Sequence, residues 1–383
     1  MKIDNYDLKQ LVKPLQEWFR ENARVLPWRE NPKAYYVWVS EIMLQQTRVE
    51  AVKPYFDRFI RELPDVKALA ECPEDKLLKL WEGLGYYNRV RNLKIAANQI
   101  LEEYDGTIPD AYEELLKLKG IGHYTAGAIA SIAYGKAVPA VDGNVLRVIS
   151  RVTGDDSDIM KQSVRTHMEE ILLSLMSADF EQNTVFHKVI PSIFNQALME
   201  LGATVCLPNG APHCQACPWQ EFCEAKKQNK IAELPVKKKA KARRIEEKTV
   251  FIIKDGEQIA LHKRANKGLL AGLYELPNVE GYLTEQEAVD YVKQKGYTPI
   301  RIQQICDAKH IFSHVEWHMK GYVVFLQSKE YERERGQEDG LKKRTEKDWV
   351  FVEVEQTKDN YAIPSAFVKY TEYLNMTIGK DAI

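Results

Sequence analysis

Four of the six cysteines of this 383-residue chain, Cys206, Cys214, Cys217 and Cys223, fall in one short stretch, and no other feature restricts the fold as tightly. The remaining two, Cys72 and Cys306, lie far away. A disulfide framework belongs to short secreted chains that lack a sufficient apolar core. This chain is long and 45% of its residues are hydrophobic, so it can bury a core without staples. Clustered thiols then point to a metal. The spacing is Cys-x7-Cys-x2-Cys-x5-Cys. Four thiolates suit either a zinc ion or an iron–sulfur cluster. Zinc ribbons more often place two Cys-x2-Cys knuckles on hairpins, and here there is one such pair.

The cysteines also mark a change of pattern. From about residue 8 to 205, apolar residues recur at three- and four-residue spacing, as in Leu11 to Arg20 and Glu74 to Trp81. Breaks such as Leu63-Pro64-Asp65 and Gly106-Thr107-Ile108-Pro109-Asp110 separate these segments. The stretch reads as all-α. After Leu234-Pro235-Val236 come Lys237, Lys238, Lys239, Lys241, Arg243 and Arg244, the composition of a solvated linker that can touch phosphates. Beyond it, Thr249 to Ile253 and Gly321 to Leu326 read as buried strands and Glu285 to Lys295 as a helix. We expect an all-α domain over residues 1–234, a basic linker over 235–247 and an α+β domain over 248–383. No apolar run approaches the roughly 20 residues that span a bilayer. Met1 to Asp7 lacks the apolar core of a signal peptide, so a cytoplasmic protein with no membrane is expected. The net charge of −1 decides nothing about nucleic acid, because a neutral chain can carry one basic face.

Two short words carry chemistry. Leu118-Lys119-Gly120-Ile121-Gly122-His123-Tyr124-Thr125-Ala126 lies between helical stretches. Gly120 and Gly122 permit a tight turn that leaves backbone N–H groups uncovered at a helix start, a ready phosphate site. This is the helix-hairpin-helix pattern, which grips a DNA backbone without reading sequence. An ordinary interhelical turn is the alternative, opposed by Leu118 before the glycines and Thr125-Ala126 after them. Downstream, Ala140-Val141-Asp142-Gly143-Asn144-Val145 sets an aspartate at a helix start, where a simple N-cap would also serve.

Together, the hairpin, the aspartate that follows it and the cysteine quartet resemble the endonuclease III superfamily over roughly residues 8–225. Within it the chain resembles the adenine DNA glycosylase (MutY) family. The words that carry this are Leu26-Pro27-Trp28-Arg29, the run from Val37 to Thr47 around Glu41, Trp81-Glu82-Gly83-Leu84-Gly85-Tyr86-Tyr87, and Asn195 to Ala203. The resemblance implies a 4Fe-4S cluster on Cys206, Cys214, Cys217 and Cys223. The superfamily spaces its first two cysteines one residue closer, and the extra residue here falls in the loop Leu207 to His213, where it can bulge. Where bifunctional members carry a Schiff-base lysine after the hairpin, this chain has Tyr124, so base removal without strand cleavage is implied.

Chemistry and resemblance then divide the roles. Adenine leaves poorly as an anion, so its ring must be protonated as the bond to the sugar breaks. Glu41 sits among Val37, Trp38, Val39, Ile42, Met43 and Leu44, where burial would raise its pKa and keep a proton available. By resemblance it is the acid acting on nitrogen 7 of the purine. Asp142 is expected to stay ionised and stabilise an oxocarbenium-like sugar, or attack it transiently, with Asn144 and Tyr124 positioning it and the water. A base inside the stack cannot be reached, so the enzyme must flip it. The family enters the duplex with residues matching Gln46 and Tyr86, and contacts the flipped adenine at the places of Arg29 and Gln196. Trp28, Trp38 and Trp81 are expected mostly in the core, as is one of Tyr86 and Tyr87. The implied partner is double-stranded DNA with adenine opposite 8-oxoguanine or guanine, bound by a monomer associated with the nucleoid.

Residues 248–370 resemble the Nudix-like domain through which these enzymes recognise 8-oxoguanine. Gly268 to Pro277 echoes the start of a Nudix fold, but Glu285, Glu287 and Asp290 do not form the glutamate cluster that holds magnesium in the hydrolases. We expect recognition without pyrophosphatase activity. Phe312-Ser313-His314 matches the family's lesion-reading loop. His310, His314 and His318 recur every fourth residue, but a strand or turn there would part them, which opposes a metal site. Three rival readings are a lyase-competent pyrimidine-lesion enzyme, a non-catalytic DNA-binding scaffold with a zinc ribbon, and a Nudix hydrolase with a helical appendage.

Overall fold

The structure, a computed structural model, describes residues 1–178, 188–237, 242–327 and 349–374. Its contacts divide the chain into two compact units, residues 1–71 with 91–240, and residues 72–90 with 241–383.

The first unit is helical throughout its described residues. Leu11, Val12, Leu15 and Phe19 of the helix Lys9–Asn22 pack with Val145, Leu146, Ile149 and Val152 of Gly143–Thr153. Met168 and Leu172 of Gln162–Ser177, and Phe194, Leu198 and Leu201 of Pro191–Thr204, complete this core. The amphipathic spacing seen in the sequence is what lets each helix bury one stripe. The helix Ala34–Leu44 differs. Eight of its residues are buried, including Ser40 and Glu41, so it runs through the interior. Among the described residues no helix is long and apolar enough to cross a membrane.

The second unit is a mixed sheet with helices. The strands are β1 (Arg244–Asp255), β2 (Gln258–Lys263), β3 (Tyr274–Glu275), β4 (Asn278–Glu280), β5 (Pro299–Ile311), β6 (Val315–Leu326) and β7 (Val350–Glu353). β1 runs parallel to β6 and antiparallel to β2 and β4, while β5 and β6 form a hairpin and β7 pairs β2. Val250 and Ile252 face one core and Phe251 and Ile253 the other. A strand covered on both faces reads as a continuous apolar run, which is why Thr249 to Ile253 was legible. The helix Glu285–Gln294 covers the second core with Ala288 and Val292.

Two findings depart from the sequence reading. β1 starts at Arg244, inside the stretch read as linker; its first residues, Arg244 to Glu247, are largely exposed and, Ile245 apart, charged, so they show no buried-strand pattern. Lys238, Lys239 and Lys241 of that stretch lie outside the described residues. In addition, residues 72–90, which read as part of the helical region, pack with the second unit. Their anchors are polar. The buried Glu82 carboxylate accepts the Ile363 N–H at 2.7 Å, and the Lys79 ammonium donates to the carbonyls of Thr357 and Tyr361, each at 3.1 Å.

Candidate active site

Val37, Ser40, Glu41 and Leu44 recur at helical spacing on one side of Ala34–Leu44 and line a cleft of about 940 Å3. Tyr124, Asp142, Asn144, Gln196 and Met199 line it too. The sequence-derived catalytic candidates therefore converge. Glu41 is 5% exposed, and burial pushes its carboxyl up to about 7, with nearby Asp142 pushing the same way against a hydrogen bond from Tyr124. The Tyr124 hydroxyl donates to Glu41 Oε2 and also contacts Met199 Sδ at 3.7 Å. Burial, then the negative charges of Glu41 and Asp142, raises Tyr124 well above the usual tyrosine range, so it remains a hydroxyl.

Asp142 is an N-cap after all, and more than one. Its Oδ1 accepts the backbone N–H groups of Asn144 and Val145, both at 2.8 Å, and its Oδ2 accepts the Asn144 side-chain amide at 2.7 Å. Burial pushes its carboxyl up, opposed by those three donors and by Arg147. The cap is itself held in place. Asn195, fully buried, accepts the Ala140 N–H and donates to Ser131 Oγ and the Val138 carbonyl. Gly127 lets the preceding helix come close, since a Cβ there would sit 2.2 Å from the Pro139 carbonyl oxygen. Neither Asn195 nor Gly127 stood out in the sequence, although Asn195 heads one of the matched words.

At the cleft's edge Arg29 does not stand alone. The buried Glu200 carboxylate accepts from Arg29 Nη2 at 2.8 Å and from Arg24 Nε at 2.6 Å. Burial opposes ionisation of Glu200, but the Arg24 and Arg29 guanidiniums outweigh it and hold the carboxyl below its usual range. Glu200 was not singled out from the sequence, because its partners lie 171 and 176 residues away. Gln196 donates its amide to the Ser192 carbonyl at 3.0 Å while lining the cleft. Trp28, Trp38 and Trp81 are buried, and Trp28 also lines the cleft. Tyr87 is buried and Tyr86 exposed.

The two glycines of the hairpin divide the labour. Gly120 has φ +80°, and a Cβ there would meet Asn92 Cβ at 2.7 Å. Gly122 has an ordinary φ of −100°, and a Cβ there would meet nothing within 4 Å. Leu118 and Ile121 are buried beneath the turn. Gln46, just past the helix that carries Glu41, has φ +60°, and Tyr86, in the second unit, has φ +48°. Left-handed backbone in residues other than glycine costs about 1–3 kcal/mol and concentrates at functional positions.

Cys206, Cys214, Cys217 and Cys223 line one cavity together with Arg151, whose Nη1 lies 3.3 Å from Cys206 Sγ. Among the described residues no three His, Cys, Asp or Glu side chains converge on a single-ion position. The loop Leu207 to His213 is closed at its base by the Leu207 and His213 amides, both donating to the Val205 carbonyl, so an added residue bulges outward. From this loop polar contacts run to the cleft. Arg147 donates to the Cys206 and Gly202 carbonyls and to Asn144 Oδ1, and Asn144 in turn holds Asp142.

In the second unit Phe312, Ser313 and His314 form the turn between β5 and β6, closed by Phe312 N–H to the Val315 carbonyl at 2.8 Å. Ser313 and His314 are exposed, with Ser313 Oγ 3.2 Å from His314 Nδ1. His310 and His318 lie on the paired strands of the hairpin, opposite Trp317 and Lys309, a register that sets them on opposite faces. Glu287 is committed to a capping box with Thr284.

Comparison with known proteins agrees with this architecture. Residues 39–173 match the HhH-GPD superfamily of base excision DNA repair proteins, and residues 249–373 match the NUDIX domain. The chain is 33% identical to the adenine DNA glycosylase of Buchnera aphidicola subsp. Acyrthosiphon pisum (strain APS), over 85% of this chain and 88% of that protein. It is 33% identical to the adenine DNA glycosylase of Mus musculus, over 84% of this chain and 72% of that one. Among solved structures it resembles a thermostable thymine-DNA glycosylase, with a TM-score of 0.50 and 25% identity, covering 57% of this chain and 96% of that one.

Proposed function

This chain belongs to the adenine DNA glycosylase family, and from that premise we propose that it hydrolyses the N-glycosidic bond of adenine mispaired with 8-oxoguanine or guanine. It is a base excision repair glycosylase that acts on adenine. The observation that carries the mechanism is the pairing, in one cleft, of two buried carboxyls with different partners, a tyrosine hydroxyl on Glu41 and three N–H donors on Asp142. Glu41 has burial to keep it protonated, and Tyr124 occupies its Oε2. Oε1 is then the oxygen to carry the proton to nitrogen 7 of the flipped adenine. Asp142 meets three N–H donors, a setting that favours a carboxylate, and so is the partner for positive charge developing on the sugar. Asn144 orients Asp142, and water completes the reaction. Arg29, steadied by Glu200, and Gln196 form the adenine pocket; Gln46 and Tyr86 fill the gap in the duplex; Gly120 and Gly122 hold the backbone. Ser313, with Phe312 and His314, reads the oxidised guanine.

The four cysteines fit a 4Fe-4S cluster better than zinc. The four thiols share one cavity, and the single Cys-x2-Cys pair is unlike the two knuckles of a zinc ribbon. Bound there, the cluster would brace the loop that Arg147 and Arg151 tie to the helix capped by Asp142. The protein is read as a monomer on nucleoid DNA. The test is incubation with duplexes holding adenine opposite 8-oxoguanine, guanine or thymine, with and without borohydride. Adenine release from the first two, with alkali-dependent scission and no trapped covalent adduct, is expected. Borohydride trapping would instead favour the lyase reading.

A further inference from the structure

Tyr86 and the Phe312-Ser313-His314 turn belong to the same compact unit, although they are far apart in sequence. The stretch that carries Tyr86 is tightly folded. Gly83 and Gly85 have φ +94° and +70°, followed by Tyr86 at +48°. Trp81 Nε1 and Arg89 Nη2 both donate to the Gly85 carbonyl at 3.1 Å, and Arg89 also donates to Leu84 and lies over the Tyr86 ring at 5.6 Å. The side chain immediately before this loop is Glu82, 4% exposed.

Glu82 and Lys79 form an ion pair at 2.7 Å with side chains only 4% and 16% exposed. Both also bond to main chain of one segment, residues 357–363. Glu82 Oε1 takes the Ile363 N–H, and Lys79 Nζ gives to the carbonyls of Thr357 and Tyr361. Asp75 adds an exposed pair with Lys263. Taking partners from a buried charge is unfavourable, so separating residues 79–82 from 357–363 breaks three hydrogen bonds made by a buried ion pair. Ile363 itself is fully buried in the core that includes Trp317, against which Phe312 stacks edge-on at 4.9 Å.

We propose that Glu82 is a positioning residue that fastens the Tyr86 wedge to the lesion-reading Nudix-like unit, so that the base opposite the adenine is read and the duplex is wedged by one body. This rests on the roles given above to Tyr86 and Ser313. The wedge then enters with the geometry that the lesion-reading turn dictates, and discrimination between 8-oxoguanine and guanine depends on a carboxylate that touches neither.

Full-length wild type, Glu82→Leu and Glu82→Gln test this in two ways. Hydrogen exchange without DNA reads the brace: in Glu82→Leu the amides of residues 83–90 and 357–363 should lose protection together, while those of 143–153 keep theirs. Single-turnover excision reads its use: the ratio of rates for adenine opposite 8-oxoguanine and opposite guanine should fall about tenfold, a typical coupling between sites. Glu82→Gln keeps volume and an acceptor for Ile363, so it should restore part of both. Unchanged protection of 83–90, or an unchanged ratio once protection is lost, overturns the proposal. Absence of excision by wild type would remove the glycosylase reading, while the exchange result would still decide the brace.

Discussion

At the scale of single residues, Glu41 carries the account, and its burial has a cost that can be measured. The folded pKa of about 7 stands above the ordinary 4.5. Between these values the unfolded chain loses its proton while the folded chain keeps it, so stability falls as pH rises through that window and levels off above it. The full difference is about 3 kcal/mol. Glu41→Gln removes the ionisation and still offers Tyr124 an oxygen. The variant is therefore expected to match wild type near pH 4.5 and to exceed it by up to that amount at pH 8, as read by urea unfolding. Equal stabilities across the range would show that Glu41 is not held protonated. Its position was legible because most of its helical neighbours are apolar. Glu200 and Asn195 were not, because a polar side chain gains its meaning from partners that only the fold brings near.

The hairpin is an element whose two glycines make opposite predictions. Gly120→Ala must force a side chain into left-handed backbone and against Asn92, and should cost about 1–3 kcal/mol of stability. Gly122→Ala meets open space at an ordinary φ, and should leave stability within about 0.5 kcal/mol. If the open space belongs to a DNA phosphate, the same variant should weaken duplex binding several-fold; unimpaired binding would assign Gly122 to turn geometry alone. Helices and central strands were readable from periodicity, since each buries a stripe or face. The start of β1 was not, because Arg244 to Glu247 pair as a strand with side chains largely in water. The membership of residues 72–90 was hidden for a related reason. Hydrogen bonds from Glu82 and Lys79 to main chain leave no pattern in the partner's side chains.

For the whole molecule, the residues proposed for chemistry and for recognition fall in different compact units, with Glu41, Asp142 and the cysteines in one and Tyr86 and Ser313 in the other. The two-domain organisation followed from the change of period beyond the cysteines, but the assignment of the wedge did not. The cysteine cavity links to the cleft through Arg147 and Asn144 within the first unit. Protein purified without oxygen should be brown, and removal of iron by a chelator under oxidising conditions should bleach it and lower both thermal stability and duplex affinity. A colourless protein containing one zinc would contradict the cluster. The most direct test of the central claim is the pH dependence of single-turnover adenine release from a duplex with adenine opposite 8-oxoguanine, for cluster-loaded wild type and Glu41→Gln. The wild-type rate is expected to fall as pH rises through about 7, with no release by the variant at any pH. A wild-type rate indifferent to pH, or a variant that still releases adenine, would contradict that claim.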